Sequence, residues 1–124
     1  MVPYTDMPDT GIYLQGMPAA PQPVAPLNER VFYNGPGNSG IGFFWKSVPG
    51  AAGYTIRISA RADLRKPIVK EAAPDNFFIL DAARTAALPE RIFYWAVSQT
   101  DVEGEVSAYG ETRSFTVSLF VEKP

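Results

Sequence analysis

The 124-residue chain contains no cysteine and no histidine. Without cysteine there is no disulfide framework, no thiol nucleophile and no thiolate zinc site. Without histidine there is no imidazole base, no Ser-His-Asp triad and no usual transition-metal ligand. Chemistry would have to come from carboxylates, lysines, hydroxyls and the backbone. Positive charge is not in excess: the net charge is −2 and the isoelectric point is near 5.0. That balance argues against a nucleic-acid partner, which usually exchanges protein cations for counterions. No apolar run approaches the roughly 18–20 residues of a membrane span, so membrane insertion is not expected. The opening Met1-Val2-Pro3-Tyr4-Thr5-Asp6 has neither the basic start nor the apolar stretch of a signal peptide. Either the protein stays where it is made or the sequence is a piece of something longer.

What is present is unevenly placed. Six of the twelve prolines fall in the first 26 residues, at Pro3, Pro8, Pro18, Pro21, Pro23 and Pro26. That segment holds Asp6 and Asp9 but no lysine or arginine, so the net charge of −2 resides there. Closely spaced prolines remove amide donors and favour extended geometry, so 18–26 is expected to form neither helix nor central strand. Residues 1–26 are read as an extended arm or linker and 27–124 as the folded domain. Within the arm, Gly11-Ile12-Tyr13-Leu14-Gln15-Gly16-Met17 is a short apolar run that could pair as an edge strand or lie across a neighbour. Tyr4, Ile12, Tyr13, Leu14 and Met17 are its candidate anchors.

From Val31 onward the hydrophobic period is two. Ile41, Phe43 and Trp45 alternate with Gly42, Phe44 and Lys46; Tyr54, Ile56 and Ile58 alternate with Thr55, Arg57 and Ser59. Phe93, Trp95 and Val97, and then Phe115, Val117 and Leu119, repeat the pattern. Such segments are half-buried antiparallel strands. Weaker strands are expected over 31–33, 68–71 and 77–80. Asn34-Gly35-Pro36-Gly37-Asn38, Pro49-Gly50, Pro74-Asp75-Asn76 and Glu103-Gly104 carry turn chemistry. About seven short strands at this spacing predict an all-β, seven-stranded antiparallel sandwich. Only 81–88 reads as helical, with Asp81 as its cap and Pro89 as its stop.

The run from Phe43 to Ile58, with Trp45, Val48, Gly50, Ala51 and Tyr54 in order, resembles the B strand, turn and C strand of fibronectin type III domains. Leu88-Pro89 with Phe93-Tyr94-Trp95-Ala96-Val97 resembles the E–F corner and strand F. Asp101–Ser107 and Arg113–Val117 resemble the F–G loop and strand G. The likeness is to the bacterial form, as in the C-terminal modules of FecR-type envelope proteins, and covers about residues 27–119. It implies a fibronectin type III or immunoglobulin-like sandwich. Two positions depart from the pattern. The tyrosine whose hydroxyl ties the E–F corner is Phe93, leaving that bond absent or supplied by Tyr94. The arginine before the last valine of strand F is Ala96.

Side-chain clusters add little chemistry. Asp101, Glu103, Glu105 and Glu111 could offer oxygens to calcium, but their spacing is not that of an EF-hand loop and a solvated acidic loop is the preferred reading. Nothing suggests the cleft that a carboxylate pair needs for glycoside hydrolysis. Arg57, Arg61, Arg65, Lys66 and Lys70 read as outward charge guarding strand edges. Phe44, Ile92 and Tyr94 fall on the outward phase of their strands, and would form an exposed apolar patch if those strands were neighbours. The expectation is a non-catalytic module with no cofactor or metal, acting through protein–protein contact. Its partners would be protein subunits or neighbouring domains, including other copies of itself, with the arm docking on one of them. Its setting would be a bacterial surface if the chain is part of a longer protein, and otherwise a virion. The alternative is an accessory carbohydrate- or ligand-binding domain of a secreted enzyme.

Overall fold

The computed structural model describes residues 18–35, 37 and 39–119. They form eight strands, β1 (Pro23–Ala25), β2 (Arg30–Asn34), β3 (Ile41–Trp45), β4 (Ala51–Ser59), β5 (Val69–Ala73), β6 (Phe77–Leu80), β7 (Arg91–Asp101) and β8 (Arg113–Leu119). One short helix, α1 (Ala82–Ala86), follows β6. The strands make two sheets, ordered β1-β3-β6 and β2-β8-β7-β4-β5. The count is eight where seven were expected, and one pair departs from the antiparallel rule: β2 runs parallel to β8, with Phe32 opposite Val117. No helix among the described residues is long and apolar enough to cross a membrane.

The alternation seen in the sequence sets the core. Phe43, Trp45, Ile56, Ile58, Phe93, Trp95, Phe115 and Val117 are all essentially inaccessible and meet between the sheets. Their rings pack at angles: Phe43 lies 5.1 Å from Trp95 and 5.7 Å from Phe115, both edge-on, while Phe93 stacks on Phe115 at 5.6 Å. Each fully buried side chain of this size contributes about 1.5–3 kcal/mol from removal of apolar surface, so this cluster dominates stability.

The extra strand, β1, lies inside the segment read as arm, and the sandwich therefore begins before residue 27. Pro21, Pro23 and Pro26 are buried. Proline is tolerated in β1 because this is an edge strand with an unpaired side. Three contacts hold the approach to it: Gln22 O accepts from Lys46 N at 2.9 Å, Ala19 O accepts from Gln99 Nε2 at 3.0 Å, and Pro21 lies against Gly110. A Cβ on Gly110 would fall 2.0 Å from Pro21 O, so only glycine allows this crossing. Arg113, reaching back from β8, donates through Nη1 to Val24 O (2.9 Å) and Pro26 O (3.0 Å).

The helix is shorter than the expected 81–88 but capped as expected. Asp81 Oδ1 accepts from Arg84 N at 2.8 Å. Among the described residues the E–F corner has no tyrosine tie, since Phe93 is spent in the core and Tyr94 points outward, half-buried. Asn34 takes over: its Nδ2 donates to Thr85 O at 2.8 Å, joining the end of β2 to the corner.

Candidate interaction surface

The three strands of the smaller sheet, 23–25, 41–45 and 77–80, contain no charged residue. Their inward side chains join the core, so whatever points outward is uncharged too. In register, Phe44 faces Phe77 and Gly42 faces Ile79 across β3 and β6. Direct cross-strand partners share a face, and here that face is apolar: Phe44 is 43%, Phe77 45% and Ile79 48% exposed. The two phenyl rings lie 6.3 Å apart at 33°. Gly42 makes room for them, because a Cβ there would stand 2.8 Å from Phe44 Cε2 and 3.3 Å from Ile79 Cδ1. The Phe44 ring and the end of Ile79 therefore both occupy the space over the glycine, giving a continuous apolar surface. Val24 is the exposed residue of β1 on the same sheet.

Phe44 thus sits in an apolar patch, but with different companions from those expected. Ile92 and Tyr94 belong to β7 of the five-stranded sheet, whereas Phe44 belongs to β3 of the other, and the two sheets expose opposite outer faces. The expected Phe44–Ile92–Tyr94 patch does not form. Phe77 and Ile79 replace them, and the signal was available in the sequence as an uninterrupted apolar run, Phe77-Phe78-Ile79-Leu80. Tyr4, Ile12, Tyr13, Leu14 and Met17 lie outside the described residues.

Several members of the charged clusters have structural partners. Asp101 folds its own loop: Oδ1 accepts from Glu103 N and Glu105 N, both at 2.9 Å. Among the described residues no three acidic side chains converge as metal ligands. Asp63 takes two hydrogen bonds from Arg61, at 3.0 and 2.8 Å, and one from Arg65 N at 3.0 Å. The Arg61 guanidinium, followed by the Arg65 amide, holds the Asp63 carboxyl well below the usual carboxylate range. Arg57 lies over the Tyr109 ring at 4.9 Å.

No family model matches the chain, and no curated protein matches it in sequence. Solved structures match its shape. An Fn3-like protein from Clostridium thermocellum is 15% identical, with a TM-score of 0.50 over 85% of this chain and 98% of its own. A β-1,2-glucanase from Parabacteroides distasonis (16% identical, TM-score 0.52) matches over 85% of this chain. An α-L-rhamnosidase from Dictyoglumus thermophilum (13% identical, TM-score 0.54) matches over 83%. The match spans only 14% and 12% of those two enzymes. The fold is that of a fibronectin type III-like β-sandwich, shared with an Fn3-like protein and with short stretches of two glycosidases.

Proposed function

We propose that the chain is a non-catalytic interaction module, in which residues 11–17 of the N-terminal arm dock on the apolar outer face of a neighbouring subunit or domain. The observation that carries this reading is the uncharged, half-exposed Phe44–Phe77–Ile79 face, a kind of surface that marks protein contacts when exposed on a small domain. The arm supplies a matching apolar run, Ile12-Tyr13-Leu14, with no charge between residues 10 and 28. The glycosidases that carry similarly shaped stretches support an extracytoplasmic, surface-associated setting, with a virion as the alternative. Nucleic acid, metal and cofactor have no part in this reading.

Carbohydrate binding, the second reading, draws support from the same glycosidases. Sugar recognition requires hydrogen-bonding groups beside the aromatic rings. Val24, Gly42, Phe44, Phe77 and Ile79 provide none in their side chains, which favours an apolar protein segment.

The test is a titration of a synthetic peptide of residues 1–17 into the 18–124 domain, which retains the whole buried core, followed by amide NMR. Saturable shifts centred on Phe44, Phe77 and Ile79, lost in Phe77→Lys, are expected. A peptide that leaves these amides unmoved at millimolar concentration overturns the reading.

A further inference from the structure

At the end of the sandwich opposite residues 19–22, α1 and the start of β7 leave an open cleft of about 330 Å3. That volume lies in the range of small-molecule sites. Buried Val69, Leu80, Leu88 and Phe93 form its floor, and half-exposed Ile68 forms its lip. Two arginines line it, and they differ in what they already hold.

Arg84 is committed. Its Nη1 donates to Glu71 Oε2, its Nε lies 3.5 Å from Asp81 Oδ2, and its guanidinium rests 5.7 Å from the Phe78 ring centre. It serves as a wall. Arg91 has no ion pair, side-chain hydrogen bond or ring contact among the described residues. It shares the strand phase of Phe93, whose side chain is in the core, so its stem leaves β7 on the cleft side. Among the described residues the apolar pocket therefore carries a single uncommitted cation, and a guanidinium presents a fork that fits a carboxylate.

We propose that this cleft binds a small amphipathic monoanion, with an apolar chain seated on Leu80 and Phe93 and a carboxylate paired with Arg91. A cleft of about 330 Å3 lies at the small end of the range for small-molecule sites, which suits a medium-chain carboxylic acid better than a long-chain lipid. The polarity follows from Arg91: a cationic head of the same length meets repulsion, and a neutral one gains only the apolar contact.

Octanoate, octanol and octylamine separate these terms when titrated into the full 124-residue chain and followed by amide NMR. Octanoate should give saturable shifts at Ile68, Leu88, Arg91 and Phe93 and bind more tightly than octanol, with octylamine weakest. Arg91→Gln should raise the octanoate Kd about tenfold, the scale of one charge-assisted pair, and leave octanol unchanged. Ala87→Trp, at an exposed position beside the cleft, should block both ligands without moving the amides around Phe44. Equal binding of octanoate and octylamine, an unchanged Kd in Arg91→Gln, or shifts that never saturate would each overturn the assignment.

Discussion

Replacing Arg113 with alanine removes the clamp that holds β1 to the sandwich. The Arg113 side chain is only 15% exposed, and its Nη1 donates to two carbonyls, Val24 O and Pro26 O. Hydrogen bonds from a charged donor contribute about 1.5–3 kcal/mol each, but the Val24 carbonyl is open enough for water to replace the lost donor. The guanidinium also lies 3.9 Å from Glu111, whose carboxylate is largely in water, so this long contact adds little. A net loss of about 2 kcal/mol follows, or roughly 8 °C in Tm for a domain of this size. Urea denaturation gives the free energy, and hydrogen exchange gives its location. Protection should fall first at Lys46, whose amide donates to Gln22 O beside β1, while Trp45, whose amide donates to Asn76 O, and the amides of β4 and β7 keep theirs. If the loss is below 0.5 kcal/mol, or if exchange rises uniformly, β1 is held by its own packing and the clamp argument fails.

Other perturbations follow from the same contacts. Gly110→Ala forces a Cβ against Pro21 O and should cost at least 2 kcal/mol by thermal melting, with residues 18–22 becoming protease-sensitive. Asn34→Ala removes the E–F corner tie and should cost about 1–2 kcal/mol, read by denaturant midpoint. Phe44→Ser and Phe77→Ser should each change stability by less than about 1 kcal/mol, because both rings are already half in water, yet should abolish arm-peptide binding. The Asp63 carboxyl is depressed in the folded state, so its contribution is fully present above the unfolded carboxylate pKa and is lost as pH falls below about 4 toward the folded value. The Tm difference between wild type and Asp63→Asn should accordingly shrink between pH 5 and pH 2; a constant difference would mean that Asp63 acts without its charge.

Much of this protein is written in local pattern. Period-two alternation placed Phe43, Trp45, Ile56, Ile58, Phe93, Trp95, Phe115 and Val117 inside, since a pleated strand sends every second side chain to one face whatever the rest of the chain does. Asp81 announced its helix for the same reason: a cap needs only the next three residues. Other features depend on residues far apart in sequence. β1 exists because Trp45, Arg113, Gln99 and Gly110 supply partners that a proline-rich segment cannot supply for itself, and locally it reads as linker. The parallel β2–β8 pair joins the two ends of the domain, a choice that no local pattern encodes. Outward phase was legible for Phe44, Ile92 and Tyr94, but phase does not say which sheet a strand joins. The assignment of β3 to one sheet and β7 to the other separated Phe44 from Ile92 and Tyr94 and gave it Phe77 and Ile79 instead. The cleft beside Arg91 likewise exists only once α1, β5 and β7 are brought together. The missing cysteine and histidine excluded whole reaction types from the sequence alone, because composition limits what any fold can do. Which apolar faces remain open to partners was settled by sheet pairing, because exposure is a property of neighbours and the chain acquires those neighbours only on folding.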